Sequence, residues 1–495
     1  MRLPSTAWFL LLGLAPALSA QETQDAFYWL AEINKASAVM VVEQGIVPKP
    51  LGARIAAAVT KVIADGARPG ARRSGDYLQV EQDLIAAGGP DVTRLHSGRS
   101  RQDIGSTTRR LFLRADVLDT LASLNVARAT LLQMAAAHPD AILPAYTWGV
   151  QAQPISFGHY ILAYAEALDR DGERLRQAWA RLNRSPLGSA ALGTSSFPVN
   201  RTRLAELLGF DGLVENSLDA NQISPLDGGA ELVSIAASGA LTVNMLLADI
   251  TAQYAQTRPW LLMAEGNLTG TSSIMPQKRN PTGMVALRTS ASTVIGDAQT
   301  FFIQSHNVQA GMGDYKGDQP DRVLQEAARM FTGLSDLLKV FVFDEPRALA
   351  EVNADYSTTT ELADTLQRVA DVPFRVGHHF ASELVNYGRS HNLRPAEISF
   401  GEAQHIYTES ARSFRLENAR LPLDEVQFRR SLTAENMVRQ SQGIGGPQPA
   451  EVARMLANGN ARLRADQEWV RATRAKLEAA SSGRNAAFLG LRTEK

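Results

Sequence analysis

The chain has 495 residues, 45% of them hydrophobic and 20% charged, with a formal net charge of -1. That balance belongs to a globular protein large enough for a big core and two or three domains, and it offers no basis for nucleic-acid binding. There is no cysteine, so disulfides and thiol redox chemistry are excluded.

Residues 1–20 read as a secretory signal peptide. Arg2 precedes the apolar stretch Ala7 to Leu14, the small residues Ala15, Ala17, Ser19 and Ala20 follow, and polar Gln21 to Gln24 come next. The apolar centre is too short to span a bilayer. Cleavage is expected near residues 17–20, leaving an exported chain, periplasmic or secreted, with no membrane span. An apolar first helix of the fold is the alternative reading.

Residues 25–65 read as helices, and Arg68 to Gly75 as a basic loop with Gly and Pro. Residues 102–138 carry helical periodicity, with Leu111, Leu118, Leu121, Leu124, Leu131 and Leu132 on related faces, and Pro139 to Pro144 end it. From Ile161 the apolar positions Ala165, Leu168, Gly172, Leu175, Trp179 and Leu182 step by four and three, the spacing of a helix packed nearly parallel to its neighbours. Charges from Glu166 to Arg176 are expected on its other face. Residues 229–263 read as a long helix, apolar nearly all round. Glu231, Ser234, Asn244 and Asp249 favour a central bundle helix over a membrane span. Helical patterns resume at 283–305, 320–342, 358–387 and 450–480, and strand alternation is scarce. The expected fold is all-α: an N-terminal helical domain over 21–115, a central helical bundle over 116–368 and a C-terminal helical domain over 369–495.

Between these helices runs Gly270-Thr271-Ser272-Ser273-Ile274-Met275-Pro276-Gln277-Lys278-Arg279-Asn280-Pro281, a loop bearing a hydroxyl, a cation and an amide. Lys278 and Asn280 can donate to a carboxylate that gains charge during reaction. Ser272 can take a proton if backbone N–H groups and Lys278 hold its alkoxide. Chemistry alone leaves a solvated linker with one ordinary lysine as the other reading.

The run resembles the signature loop of the fumarase/aspartase superfamily, roughly G-S-S-x-M-P-x-K-x-N-P. Leu95 to Asp103 is similar to the L-H-T-G-R-S-R-N-D segment of argininosuccinate lyases, and Gln153 to Glu166 to their Q-P-V-T-F-G-H-x-L-L-A-Y-x-E stretch. Ser185 to Gly188, Leu208 to Phe210, Glu215 to Asp219, Thr360 to Asp364 and Pro373 to Arg375 follow in the same order, so the similarity spans roughly residues 75–410. The resemblance implies a bundle of long helices, a homotetramer with sites at subunit corners, and β-elimination releasing fumarate from an N-substituted aspartate, or the reverse addition. It casts Ser272 as the base, with Lys278 and Asn280 on the carboxylate that takes up the charge. Ser100 and Arg101 stand where the family holds a substrate carboxylate, and arginine's planar fork suits that task. Gln102 replaces the family's asparagine, and Thr147 matches a substrate-binding threonine. The expected partner is a small dicarboxylate-containing substrate. His159 matches a packing position. No metal-ligand spacing or phosphate loop occurs, and no cofactor is implied.

The departures are coordinated. The family's histidine after the threonine is Trp148 here, which is expected among the substrate-binding residues, and the glutamate paired with that histidine is Val285. An ungapped comparison also puts Met312, Gly317 and Pro320 where the family has tyrosine, glutamine and lysine. The fumarate-forming half reads as retained and the leaving-group half as rebuilt. A secondary ammonium already carries its proton when the C–N bond breaks, so an amine leaving group needs no dedicated acid. The competing readings are C–O chemistry of the cycloisomerase type, where a tryptophan also replaces that histidine, and a non-catalytic helical assembly.

Overall fold

The computed structural model describes residues 24–492. The expected signal peptide lies outside the described residues. Three helices open the described chain: α1 (Ala26–Glu43), α2 (Lys49–Gly66) and α3 (Tyr77–Gly88). The long helices α4 (Arg101–Ala137) and α5 (Phe157–Leu182) flank a β-hairpin, β1 (Ile142–Thr147) and β2 (Val150–Ser156). Short α6 (Arg201–Leu207) precedes α7 (Ser224–Gln253), α8 (Thr282–Ser305) and α9 (Gln319–Leu338). The C-terminal part holds α10 (Glu345–Val352), α11 (Thr359–Ala370), α12 (Phe374–Ser390), α13 (Phe400–Ser413), α14 (Glu425–Ser431), α15 (Ala434–Gln440) and α16 (Pro449–Gly490). The fold is the expected all-α bundle. The strands are short, all antiparallel, and limited to three two-stranded pairs among the described residues.

The centre of the bundle is α4 against α5 and α9, with α7 packed on α8, α5 and α9, and α16 lying along α4 and α5. Its core runs from Val117 and Leu121 through Phe157, Ile161 and Leu168 to Val243, Leu247, Phe331 and Leu334. The stepped apolar positions of α5 are the ones buried. The charges beside them do not all face solvent, as had been expected. Asp171 is buried against Arg174. Asp169 binds the buried Arg128 of α4 and Arg462 of α16, and Arg128 also binds the buried Asp466 of α16. Arg176 completes the network on Asp466 at 2.8 Å. Buried charges hold their places only when paired, and each pair here works only at one register of the three helices.

Several expected helix boundaries are corrected. The expected 229–263 helix ends at Gln253, Pro259 bars a helix across the remaining stretch, and Leu261–Met263 forms a strand (β3). The 320–342 helix ends at Leu338, and Phe341–Phe343 pairs with β3. The 358–387 helix is two helices, broken where Asp371 turns left-handed ahead of Pro373. The boundary at 115/116 falls inside α4, and that at 368/369 inside α11. Residues 449–490 leave the C-terminal unit to pack in the central bundle through Val452, Leu463 and Val470, and reach the N-terminal core at Phe488. The C-terminal core is therefore confined to Tyr356–Leu432. Asp219–Gln253 is long and apolar enough to cross a membrane, but half of its most apolar window is buried among the bundle helices.

Candidate active site

The segment from Leu95 to Asp103 is held by alternate residues. Leu95 is buried, and His96 stacks on Tyr77 at 4.4 Å between ring centres. Gly98 has a φ of +74°, and a Cβ there would stand 2.3 Å from Val199 Cγ2, so only glycine fits. Arg99 turns inward and donates to Asn34 Oδ1 at 2.9 Å and Ser37 Oγ at 3.0 Å. Ser100 caps α4, its Oγ accepting from the Gln102 N–H at 3.2 Å, while its own N–H donates to Asp103 Oδ1 at 2.8 Å. The other oxygen of Asp103 accepts from Gly188 N–H at 2.9 Å and Ala190 N–H at 3.1 Å. Burial still pushes the Asp103 carboxyl up to about 6. With Arg99 and Asp103 anchored inside, Arg101 and Gln102 are left exposed at the start of α4.

The signature loop is closed at its base by two short strands, β4 (Gly270–Thr271) and β5 (Arg279–Asn280). Arg279 locks it by pairing with Glu265 at 2.7 Å and donating to Pro276 O at 2.8 Å. Ser272 Oγ accepts from the Met275 N–H at 3.1 Å and the Ile274 N–H at 3.4 Å. These are the backbone donors that an alkoxide on Ser272 needs. Lys278 is exposed, and Ser272 and Asn280 are half-buried.

Thr147 and Trp148 stand at the tip of the β1–β2 hairpin. The turn has positive φ at Trp148 (55°) and Gly149 (74°), the pattern of a tight hairpin turn. A bulky residue at the first of these positions is held against its steric preference, as happens at functional sites. Trp148 is fully exposed, and Val285 on α8 is exposed too. Gln151 fastens the hairpin by donating to Val352 O at 3.2 Å and Ser357 Oγ at 3.0 Å. His159 meets the Gly445 carbonyl oxygen at 3.0 Å, a packing contact.

A fourth group centres on Lys316, which the sequence reading passed over. Lys316 donates to Gln222 Oε1 at 2.5 Å and Gln102 Oε1 at 3.2 Å, and the Tyr315 hydroxyl donates to Gln222 O at 2.7 Å. Gln222 lies in a π-helical turn, Asp219–Ile223, ahead of α7; such turns recur at functional sites. The ungapped comparison passed over Tyr315 and Lys316, which sit between the positions it picked. Lys316, Arg101 and Arg109 line one cavity of about 520 Å³. Burial and the neighbouring Arg109 charge hold the Lys316 ammonium below its usual range. Within one chain, Gln102 joins the Lys316 group. Among the described residues, no hydrogen bond or ion pair links that group to the Ser272 loop or to the hairpin tip.

A long-helix bundle, a capped arginine-bearing helix start and a serine loop with converging N–H donors define a lyase of the fumarase/aspartase superfamily. Comparison with known proteins agrees: the lyase family profile matches residues 44–296, and that of the argininosuccinate lyase C-terminal domain matches residues 356–439. Argininosuccinate lyase from Methanoculleus marisnigri is 32% identical over 92% of both chains. The solved structure of an EDDS lyase variant with bound fumarate superposes with a TM-score of 0.84 at 26% identity, covering 94% of this chain and 92% of that one. The 3-carboxy-cis,cis-muconate lactonizing enzyme of Pseudomonas putida, at 18% identity over 88% of this chain and 94% of that one, shares the fold alone, with a TM-score of 0.64. The chain belongs to the argininosuccinate lyase branch of that superfamily.

Proposed function

We propose that this protein is a fumarate-releasing carbon–nitrogen lyase whose substrate is an N-substituted aspartate with an amine leaving group. The observation that carries the reading is the donor pair on Ser272 Oγ, from Met275 and Ile274, beside Lys278 in the same closed loop. In the proposed step the Ser272 alkoxide takes a proton from the carbon next to a carboxylate. The electron pair moves into that carboxylate, where Lys278 and Asn280 donate to the growing charge. It then returns to form the carbon–carbon double bond as the C–N bond breaks. The amine leaves with its own proton, which suits the apolar Trp148 and Val285. Ser100, Arg101, Gln102 and Thr147 bind the rest of the substrate. Relatives named argininosuccinate lyase and EDDS lyase both support carbon–nitrogen chemistry over the cycloisomerase reading.

Ser272, Thr147 and Arg101 sit on separate exposed segments, which supports a homotetramer in which subunits complete one another's sites. Removal of a leader near residues 17–20 and export are part of the same reading. An N-terminal mass measurement on protein recovered outside the cytoplasm tests this; an intact Met1 there speaks against it.

The test of the chemistry is Ser272→Ala. Loss of a positioned base lowers kcat by about 10²- to 10⁴-fold while the helical circular dichroism stays unchanged. A variant that keeps more than about a tenth of the activity excludes Ser272 as the base. Restoring Trp148→His with Val285→Glu is expected to give no gain on amine-leaving substrates; a large gain on argininosuccinate refutes the amine assignment.

A further inference from the structure

Exposed apolar side chains gather around Gln222. Leu192, Leu218, Ile223 and Met312 lie on three segments that hydrogen bonds hold together at this residue. Asn221 Nδ2 donates to Ala190 O at 2.8 Å and Ala191 O at 3.1 Å, and Ser217 Oγ donates to Leu192 O at 2.8 Å. These bonds set Leu192 beside the π-helical turn, which has Leu218 just ahead of it and Ile223 at its end. Met312 is brought in by its neighbours. The Gly311 N–H donates to the Tyr315 hydroxyl at 3.0 Å, that hydroxyl donates to Gln222 O at 2.7 Å, and a Cβ on Gly311 would stand 3.6 Å from Gln222 Oε1. Phe197, also exposed, extends the set toward the start of α4: a Cβ on Gly98, two residues before the Ser100 cap, would stand 3.6 Å from Phe197 Cβ.

The polar groups among these side chains are engaged within the chain. Lys316 takes up the amide oxygens of both Gln102 and Gln222, and Gln222 Nε2 reaches Ala191 O at 3.5 Å. What the three segments offer a ligand beside Gln102 is therefore mainly apolar side chain. Single exposed apolar residues are ordinary, but a set gathered around a few fixed polar groups has the composition of a ligand site. Its continuity with Gln102 and Arg101, which the reading above gives to the substrate, assigns it to the same molecule.

Resting on that fumarate-releasing reading, we propose that the amine half of the substrate is apolar, an alkyl- or arylamine, and that Met312, Ile223, Leu218 and Leu192 receive it. Water leaves these side chains when the amine half covers them, so an added methylene tightens binding and a hydroxyl in its place weakens it.

The experiment compares N-butylaspartate with N-(3-hydroxypropyl)aspartate, which differ only in a terminal methyl against a hydroxyl. Fumarate release by the unmodified, fully assembled protein is followed by absorbance. The butyl compound is expected to show a kcat/KM about 10- to 100-fold higher. Met312→Gln and Ile223→Thr each shrink that ratio, Met312→Leu keeps it, and the mass by light scattering is the same for all three variants as for the unmodified protein. Fumarate release with no preference for the butyl compound, or a preference that both polar variants leave intact, overturns the inference. A fall in mass for Met312→Gln overturns it too, because the side chains then serve contact between copies of the chain. The parent reading fails by a different result: the unmodified protein releases fumarate from neither compound nor from any other N-substituted aspartate.

Discussion

Two buried carboxyl groups show how position rewrites a residue's chemistry. Asp116 of α4 and Asp321 of α9 are buried as neighbours, and Gln325 Nε2 donates to Asp116 Oδ1 at 3.1 Å. Burial first, and the Asp116 charge second, push Asp321 up to about 8. The folded state therefore keeps a proton that the unfolded chain has lost, so stability falls as pH rises from about 4 toward 8 and levels off above. Asp321→Asn removes that dependence. Urea unfolding at pH 5 and pH 8 is expected to show the unaltered protein losing up to about 1 kcal/mol per pH unit relative to the variant. Parallel curves would mean that the pair shares no proton. The sequence marked neither residue, because an aspartate on a helix reads as solvated until its neighbour across the bundle is known. Arg101 stood out through its motif, whereas Lys316 did not: its contacts are with Gln102 and Gln222, about 200 and 90 residues away in the chain.

At the scale of the element, the start of α4 is the part that orders the site. Asp103 gathers three N–H groups, from Ser100, Gly188 and Ala190, and so ties the helix cap to the Ser185–Gly188 turn. Asp103→Ala strands these donors in the interior. The expected cost is about 2–4 kcal/mol by urea unfolding, with a raised KM because Arg101 loses its platform. A change under about 0.5 kcal/mol would show that the cap does not organise the segment. Long helices were readable because their apolar residues recur at 3.6-residue spacing over many turns. The hairpin at 142–156, the break at Asp371 and the end of α7 were not, since each depends on a turn chemistry that periodicity does not report.

For the whole molecule, Leu241 and Met245, one turn apart on α7, are exposed apolar side chains that water does not favour. The proposed tetramer covers them. Light scattering is expected to return about four times the chain mass. Leu241→Glu with Met245→Glu is expected to yield smaller species that release no fumarate, because the serine loop, the hairpin tip and the Arg101 helix then lack their partners. A monomeric variant with full activity would rule out shared sites. The loop motif was legible, but its relation to the other segments was not, since among the described residues no hydrogen bond or ion pair links it to Lys316, Gln102 or the hairpin tip.

The order of residues alone determined the long helices, the family and the chemical identity of Ser272, Lys278 and Asn280, because these depend on local spacing and on side-chain type. Only the folded chain decided which charges are neutralised and which are left over. Burial, pairing and desolvation act between residues distant in sequence. For that reason Asp169 and Asp466 became structural ties, burial pushed the Asp321 carboxyl up, and Lys316 was drawn onto Gln102 and Gln222.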